Sequence, residues 1–324
     1  MQEIFDNLTT FIKESNNVII MTHSNIDLDG ISSSICLYEI IKSFKTNVYI
    51  YLNKKITNKA VNNVLDKLQE SRYNINYIYD DTYKNIKDFS LIILDTNKID
   101  LIENPDILNF TDNIVVIDHH MKSTNYIINT KLSYINANLS SIAEFMTGYI
   151  LYLNKKISPL LSTILLSAIA IDTNNFTVKT TSSTHQKASK LLDLGANNIE
   201  VNEILKENKD EYLKRQDLIK NAYVVNNIAI CVFDDLIYKK EDLAITSQEL
   251  ISFEDIEAGF TIGKISKKEI GISARSIGNI DVCEIMKKLN GGGHFTEAAC
   301  VLKNSNLEEA HSKLMEVLHE SNIC

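Results

Sequence analysis

The sequence contains 324 residues, of which 44% are hydrophobic, and it carries a formal net charge of −9 at pH 7. A chain of this length can bury a sizeable core and is typical of about two domains. The net negative charge argues against a broad groove for long DNA or RNA, because such grooves depend on many Lys and Arg contacts to phosphates. A small anionic substrate stays open, since bound metal ions reverse the local field.

The sequence predicts a cytoplasmic protein that does not enter membranes. No apolar run reaches the ~18 residues of a membrane span, and the stretch from Leu160 to Ile171 is interrupted by hydroxyl side chains. The first residues lack the basic and then apolar layout of a signal peptide. The cysteines are scattered without the paired spacing of a metal site, and we expect them to be reduced. They are Cys36, Cys231, Cys283, Cys300 and Cys324.

Apolar runs alternate with helical periodicity through the first 120 residues. Helices are predicted at 5–14, from about 31 onward, and near 58–70. Strands are predicted at Asn17–Met21, Val48–Tyr51, Ile75–Tyr79, Ser90–Leu94 and Asn113–Ile117. This alternation is typical of an α/β domain with a doubly wound parallel sheet.

Three of these strands end in side chains that can bind a metal ion. They are followed by His23, Asp27 and Asp29, by Asp95, and by Asp118, His119 and His120. Because ligands bind at the carboxyl ends of parallel strands, we expect these groups to form one site. Each short motif has a simpler explanation, since an aspartate after a strand often caps the following helix.

Two helical stretches in the middle of the chain add further polar groups. Ser140 and Ser141 open a helix that runs to about Ile150, and their hydroxyls could meet a phosphate, although helix capping is the favoured role. Ser158 and the following proline mark the start of another helix. This second helix ends at Asp172, which is a further acidic group.

The last third of the sequence predicts a smaller α/β domain with a mixed sheet. We expect domains at 1–200 and 223–324, a charged helical connector at 201–222, and an active site in the cleft between the domains. Phe260–Ile265 and Glu269–Arg275 are predicted to form a hairpin. A helix from about 281 to 289 leads into Gly291, Gly292, Gly293 and His294, and a last helix covers about 307–318.

Six side chains from four segments suit two metal ions: His23, Asp27, Asp29, Asp95, His119 and Asp172. Oxygen ligands with a minority of imidazole favour Mn²⁺ and, less strongly, Mg²⁺, Fe²⁺ or Zn²⁺. Two-metal sites clamp the attacking and leaving oxygens of a phosphoryl displacement. Four aspartates and two divalent ions leave the loaded site about neutral, so a phosphate needs further donors.

Three positive or donor groups are available for that phosphate: His120, Arg275 and His294. The backbone of Gly291–Gly293 could also approach a phosphate closely, because glycine has no Cβ and can form an anion-binding nest. The simpler explanation of the glycine run is a flexible cap at the end of a helix.

Together these motifs resemble the DHH phosphoesterase superfamily over nearly the whole chain. His23-x-x-x-Asp27-x-Asp29, Asp95, Asp118-His119-His120 and Asp172 look like its ordered motifs. Gly291-Gly292-Gly293-His294-x-x-x-Ala298-Ala299 looks like the signature of the DHH-associated C-terminal domain, with Cys300 where glycine is usual. The stretches Val116–His120, Asp172–Phe176 and Ile272–Ser276 are most similar to the catalytic portion of cyclic-di-AMP phosphodiesterases.

The resemblance implies a role for each matching residue. One metal would be bound by His23, Asp27 and Asp95, and the other by Asp29, Asp95, His119 and Asp172, with Asp95 as the bridge. Asp118 would support the site without binding a metal, and His120, Arg275 and His294 would hold or protonate the phosphate end.

The resemblance also implies hydrolysis of cyclic di-AMP to pApA, and possible further hydrolysis to AMP, by a metal-activated water. We expect a catalytic portion without the membrane helices, sensor domain and degenerate cyclase-like domain of the anchored phosphodiesterases. Stand-alone relatives act on pApA, very short RNA or 3′,5′-bisphosphoadenosine, so an oligoribonuclease with bisphosphonucleotide phosphatase activity stays open. A catalytically silent nucleotide sensor is a weaker alternative, and a homodimer is open as well.

Overall fold

The structure is a computed structural model that describes residues 1–44, 46–122 and 125–321. The chain divides into two compact units, which we call unit 1 (Met1–Lys206) and unit 2 (Glu207–Cys324). In the described ranges, no helix is long and apolar enough to cross a bilayer. Cys36, Cys231, Cys283 and Cys300 are buried free thiols, whereas Cys324 lies outside the described residues.

Unit 1 is built on a parallel sheet. Its strands in the described ranges are β1 (Asn17–Met21), β2 (Asn47–Tyr51), β3 (Tyr77–Ile78), β4 (Phe89–Leu94), β5 (Ile114–Asp118) and β6 (Leu132–Ile135). Their order is β3-β2-β1-β4-β5-β6, and every pairing is parallel. The strand order reverses between β1 and β4, where ligands bind in open α/β sheets. The predicted doubly wound sheet is confirmed.

Helices and turns cover both faces of this sheet. The helices are α1 (Gln2–Glu14), α2 (Leu28–Ser43), α3 (Lys59–Glu70), α4 (Ile142–Tyr152), α5 (Pro159–Asp172), α6 (Ser182–Asp193) and α7 (Asn198–Ile204). Alternate strand residues point to opposite faces. Val18 and Ile20 of β1 therefore belong to the core beneath α1, α2, α4 and α5, whereas Ile19 and Met21 belong to the core on the other face.

Two elements of unit 1 carry weak signals in the sequence. β6 is a short edge strand whose residues are only partly buried, so it lacks the continuous apolar run of the strands that precede it. α6 is polar and begins after Thr181, whose hydroxyl accepts a hydrogen bond from the backbone N–H of Thr184. Neither element was predicted.

Unit 2 contains a mixed sheet, as predicted. Its strands are β7 (Tyr223–Val225), β8 (Ile228–Ile237), β9 (Ala258–Ser266), β10 (Glu269–Ser276), β11 (Gly292–Gly293) and β12 (Glu297–Lys303), in the order β11-β12-β10-β9-β8-β7. β8 and β9 pair in parallel and the other neighbours are antiparallel. The predicted hairpin is β9–β10. The helices are α8 (Lys209–Ile219), α9 (Lys240–Leu250), α10 (Val282–Lys288) and α11 (Leu307–Glu320).

Two helices occupy the region where we expected a single solvated connector. α7 ends at Ile204, and α8 begins after Asn208, whose side-chain oxygen accepts hydrogen bonds from the first backbone N–H groups of α8. Arg215 of α8 is buried and forms ion pairs with Glu207 and Glu249. The side of α8 that carries Arg215 therefore faces Glu249 of α9 within unit 2 and is not solvated.

Candidate metal centre

The loop between β1 and α2 supplies the first part of the site. Asp27 is the N-cap of α2, and its Oδ1 accepts a hydrogen bond of 2.9 Å from the Gly30 N–H. Its Oδ2 lies 3.6 Å from Nε2 of His23. The capping role and the metal-binding role therefore use different oxygens of one carboxylate, and the two explanations do not exclude each other.

Asp29 is fully buried and is held by the N-terminus of α4. Its two oxygens accept hydrogen bonds from the backbone N–H groups of Ile142 (2.6 Å) and Ala143 (2.7 Å), and Oδ2 lies 3.8 Å from Nε2 of His119. The positive end of a helix favours a carboxylate. Burial and the charge of Asp95 nevertheless raise the pKa of Asp29 to about 7.

Asp95 lies at the centre of the group, directly after β4. Its backbone adopts the left-handed conformation (φ +64°), and both of its carboxylate oxygens are buried without a hydrogen-bond partner among the described residues. Oδ2 is 3.5 Å from Nε2 of His23, and Oδ1 is 3.2 Å from Nε2 of His119. A buried carboxylate without hydrogen bonds is costly, so this position calls for a cation.

Asp172 completes the group from the last turn of α5. Its Oδ2 lies 3.7 Å from Nε2 of His119. Burial, followed by the charges of Asp29 and Asp27, raises its pKa well above the ordinary value. The structure therefore brings all six predicted ligands together, although they come from the ends of β1, β4, β5 and α5.

These side chains fit metal ions by their chemistry and their spacing. His23, Asp27 and Asp95 form one set and Asp29, His119 and Asp172 another, and within each set the candidate ligand atoms lie within 4.8 Å of one another. Zinc-type bonds of about 2.0–2.2 Å place two ligands of one ion roughly 3–3.5 Å apart. The nitrogen–oxygen distances of 3.2 to 3.8 Å are close to that range.

In the metal-free protein, the positive charges of the two protonated imidazoles offset part of the negative charge of the carboxylates. Burial lowers the pKa of His23, but the nearby carboxylates of Asp27 and Asp95 more than offset it and raise the pKa to about 11. The pKa of His119 is raised to about 10 by Asp95, Asp29 and Asp172 against the same effect of burial. A metal ion must therefore displace protons from both rings.

His120 and Asp118 form a pair beside the predicted ligands. Nδ1 of His120 lies 2.8 Å from Oδ1 of Asp118 and 3.6 Å from Oδ1 of Asp95. Asp118 is buried, whereas the His120 side chain is 48% exposed. Asn97 donates its side-chain amide to the other oxygen of Asp118 and to the backbone carbonyl of Met121. The arrangement orients the His120 ring, and the side chain stays half exposed.

Ser140 and Ser141 are both buried and both hydroxyls are engaged. Ser141 is the N-cap of α4, and its Oγ accepts a hydrogen bond from the Glu144 N–H. The Ser140 hydroxyl donates to the Glu144 carboxylate at 2.7 Å. These contacts favour the capping alternative over a phosphate contact.

Asn97 and Glu144 are polar residues that the sequence analysis did not single out. Asn97 stands two residues after Asp95, and Glu144 has the Ser-x-x-Glu spacing of a capping box with Ser141. Those local signals could have indicated buried roles, but Asp118 and Met121 beside Asn97, and Ser183, Thr184 and Lys187 beside Glu144, come from distant parts of the sequence.

In unit 2, the predicted phosphate-binding residues lie near one end of the sheet. Arg275 of β10 is opposite Glu297 of β12, and its Nη2 is 4.0 Å from the Glu297 carboxylate. Burial lowers the pKa of Arg275, and Glu297 offsets only part of that effect. His294 follows β11 and donates its backbone N–H to the Glu297 carbonyl.

The glycine run begins as a helix cap and continues as a short strand. Gly291 donates its N–H to the Met286 carbonyl at the end of α10, and Gly292–Gly293 form β11. A Cβ on Gly291 would lie 2.3 Å from the Ala299 carbonyl oxygen, and one on Gly293 would lie 2.3 Å from that of Glu297. The close approach of β12 therefore requires glycine at both positions. A Cβ on Gly292 would meet nothing within 4 Å, so its backbone faces open space.

Comparison with known families agrees with this arrangement. Residues 17–171 match the DHH family, N-terminal domain, and residues 222–320 match the DHHA1 domain. The chain belongs to the DHH family. The first match contains the predicted ligands apart from Asp172, and the second contains Arg275 and the glycine run.

Two curated relatives with different named activities are similar to this chain. It is 32% identical to the cyclic-di-AMP phosphodiesterase GdpP of Geobacillus thermodenitrificans, over 97% of this chain and 49% of the relative. It is 23% identical to the bifunctional oligoribonuclease and PAP phosphatase NrnA of Thermus thermophilus, over 94% of this chain and 89% of the relative. The chain spans about half the length, or less, of the curated relatives that share about a third of its residues.

The fold also occurs in a solved structure. An exopolyphosphatase-related protein from Bacteroides fragilis superposes with a TM-score of 0.81 at 19% identity, over 99% of this chain and 96% of that chain. At this identity the likeness concerns the fold alone.

Proposed function

We propose that this chain is a metal-dependent phosphodiesterase that hydrolyses cyclic di-AMP to the linear dinucleotide pApA, and that AMP is a further product. The observation that carries the proposal is the buried carboxylate of Asp95, which makes no hydrogen bond among the described residues and faces His23 and His119. Relatives named as cyclic-di-AMP phosphodiesterases share 31 to 33% of aligned residues over nearly the whole chain.

The six clustered side chains would hold two divalent ions. His23, Asp27 and Asp95 would bind one ion, and Asp29, Asp95, His119 and Asp172 the other, so that Asp95 bridges them. We propose Mn²⁺, with Mg²⁺ or Fe²⁺ as alternatives, because carboxylate oxygens outnumber the imidazoles. When bound, the two ions supply an activated water and the positive charge that an in-line displacement at phosphorus requires.

His120 is the proposed acid or phosphate-binding group in unit 1. Asp118 accepts a hydrogen bond from the His120 backbone N–H at 3.1 Å and contacts Nδ1 of the ring at 2.8 Å. Because both contacts orient the ring, Nε2 of this half-exposed side chain can bind a phosphate oxygen or give a proton to the departing ribose oxygen. Burial raises the pKa of Asp118, but its contacts with His120 more than offset this, so the carboxyl stays ionised.

The proposed phosphate contacts in unit 2 are Arg275, His294 and the backbone of Gly292. The Arg275 guanidinium donates to the Ala274 carbonyl, and the Glu297 carboxylate is 4.0 Å away, so much of its charge is available to an anion. The open space beside Gly292 allows a phosphate to approach the main chain. Gly291 and Gly293 would contribute by shaping this turn.

We propose a small nucleotide substrate and a cytoplasmic location. The net charge of −9 disfavours binding of long nucleic acids, because these need many cationic contacts. Four buried free thiols are typical of a reducing compartment.

An oligoribonuclease with 3′,5′-bisphosphoadenosine phosphatase activity is the second candidate. It would use the same side chains on linear substrates. The observation in its favour is that two relatives named as bifunctional oligoribonucleases and PAP phosphatases match 94% and 66% of this chain. A catalytically silent sensor is disfavoured, since all six candidate ligands are present and clustered.

Product chromatography distinguishes these candidates. The chain is stripped of metal, reloaded with Mn²⁺ and given cyclic di-AMP, pApA or 3′,5′-bisphosphoadenosine in separate reactions. Our proposal expects pApA to form from the cyclic dinucleotide. Turnover of the two linear substrates alone would contradict it and favour the second candidate, and tight binding without any product would favour a sensor.

A further inference from the structure

Glu144 is a buried carboxylate that the proposed chemistry does not use. It lies in the first turn of α4, and its side chain is 2% exposed. Both oxygens accept hydrogen bonds from several donors. Oε2 is bonded by the Ser140 N–H (3.2 Å), the Ser140 hydroxyl (2.7 Å) and the Thr184 hydroxyl (2.9 Å), and Oε1 by the Ser183 hydroxyl (2.9 Å) and the Lys187 ammonium (3.0 Å).

The α4 side of this network is connected to Asp29. The backbone N–H groups that hold the Asp29 carboxylate belong to Ile142 and Ala143, the two residues directly before Glu144. The Glu144 carboxylate holds Ser140, the residue directly before the N-cap Ser141. The Ser141 hydroxyl in turn accepts a hydrogen bond from the Glu144 N–H. The direction in which the first turn of α4 presents its N–H groups is therefore set from both sides.

The α6 side of the network is connected to Asp172. After Asp172 the chain makes a turn in which Asn174, Asn175 and Phe176 have φ values of +45°, +54° and +65°. Successive left-handed residues are costly and persist only where the surroundings hold them. The Phe176 ring stacks on His185 of α6 at 5.4 Å, next to the residues that bind Glu144. Glu144 thus anchors the helix against which this turn packs.

We propose that Glu144 is a positioning residue for the metal ion held by Asp29, His119 and Asp172. This inference rests on the metal site of the proposed function and deepens it. Glu144 supports two of those three side chains from opposite directions, through α4 and through α6. Its hydrogen bonds within the described part of the chain do not involve His23, Asp27 or Asp95, so the other ion should not depend on it. Loss of the carboxylate should weaken one metal step and spare the other.

The test is a calorimetric titration with Mn²⁺ of the full chain, carried out on wild type and on Glu144→Gln. The amide keeps the size of the side chain but loses the ion pair with Lys187 and part of the acceptor set. Removal of a group that orients metal ligands typically costs about 10–100-fold in metal affinity. We expect one of the two binding steps to weaken by about that factor and the other to stay unchanged. Saturating Mn²⁺ should restore most of kcat.

Glu249→Gln is the matched control, because it breaks a comparable carboxylate network in unit 2. Glu249 accepts from Arg215 and Gln216 at 2.7 Å each. The control should lower the unfolding temperature and leave both Mn²⁺ steps as they are in wild type. A folded Glu144→Gln protein with two unchanged Mn²⁺ affinities would overturn the inference, as would equal weakening of both steps.

Ser140→Ala provides a second variant in case Glu144→Gln does not fold. It removes one hydroxyl donor from Oε2 and leaves Lys187 paired. The Mn²⁺-binding step that weakens in Glu144→Gln should also weaken in Ser140→Ala, by a smaller factor. An unchanged affinity at that step would count against the inference. If wild-type protein binds no Mn²⁺ at all, the metal site of the proposed function fails. Identical titrations of wild type and variant would instead refute only the positioning role of Glu144.

Discussion

Asp118 holds His120 at two points, since its Oδ1 lies 3.1 Å from the His120 backbone nitrogen and 2.8 Å from ring Nδ1. The Asp-His-His motif therefore divides into different tasks. His119 points at Asp29, Asp95 and Asp172, Asp118 turns inward, and His120 is half exposed. The middle residue belongs to the candidate metal centre, and the outer two form a supported imidazole beside it.

Asp118→Asn should impair turnover without removing the metal ions. An amide cannot accept from Nδ1 with the strength of a carboxylate, so the ring loses its preferred orientation. We expect kcat to fall by about 10–100-fold, the size typical of groups that orient an active side chain. Steady-state kinetics and a Mn²⁺ titration measure the two effects separately.

The exposed Asp112 gives a matched control at the other end of the same strand. Asp112→Asn should behave as wild type in both assays. If Asp118→Asn kept its full kcat, the proposed role of His120 would lose its main support.

Asp95→Asn should remove activity more completely than any other single change in the centre. The carboxylate is the proposed bridge, and an amide carries no charge to hold two cations. Loss of metal stabilisation worth several kcal/mol corresponds to a fall in kcat/KM of about 1000-fold or more. The unfolding transition should stay cooperative by circular dichroism, and Asp66→Asn on the exposed face of α3 is the control. Wild-type turnover in the Asp95→Asn protein would refute a bridged two-metal site.

The sequence predicted that the six candidate ligands would lie together, because its signals are local. Each of β1, β4 and β5 is an apolar run with a candidate ligand one or two residues after its end, and the ends of parallel strands meet at one edge of a sheet. The run before Asp172 likewise marked α5. The strand order 3-2-1-4-5-6 then places β1, β4 and β5 side by side.

The parts that the sequence did not predict depend on distant partners. Glu144 is bonded by residues near position 184, and no local pattern indicates that α6 will pack there. The turn at 174–176 is held by α6 in the same way. The break between α7 and α8 was hidden by a uniformly charged sequence, although Asn208 is a recognisable cap. Asp27 shows the opposite case, in which a cap and a candidate ligand are the same residue.

Metal binding should release protons and weaken as the pH falls. In the metal-free protein the pKa values of His23 and His119 are raised to about 11 and about 10, so both rings are protonated at neutral pH. A metal ion binds only the deprotonated ring, so roughly two protons must leave. Asp29, with a pKa of about 7, adds a further proton as the pH falls below neutrality.

Calorimetry in buffers of different ionisation enthalpy counts these protons. We expect roughly two protons per filled site at pH 8 and a larger number at pH 6. The apparent Mn²⁺ affinity should rise with pH across this range. Proton release near zero at pH 8 would show that the two histidines are neutral before metal binds, contrary to the ion pairs described above.

Gly291→Ala and Gly292→Ala test whether the glycine run acts through packing or through an open backbone. The two positions are adjacent, yet a Cβ at Gly291 would lie 2.3 Å from the Ala299 carbonyl oxygen and 2.4 Å from the Cys300 Cβ, whereas one at Gly292 meets nothing within 4 Å. Forcing an extra methyl group into a packed position costs about 1–3 kcal/mol. Gly291→Ala should therefore lower the unfolding free energy of unit 2 by about that amount, measured by urea denaturation.

Gly292→Ala should leave the unfolding free energy nearly unchanged and act on substrate binding. If a phosphate approaches the main chain there, the added methyl group occupies part of that space, and KM should rise while the Mn²⁺ affinities stay constant. Unchanged KM in a folded Gly292→Ala protein would mean that the open backbone is not a phosphate contact. The glycine run would then be explained by the close approach of β12 alone, and phosphate binding in unit 2 would depend on the side chains of Arg275 and His294.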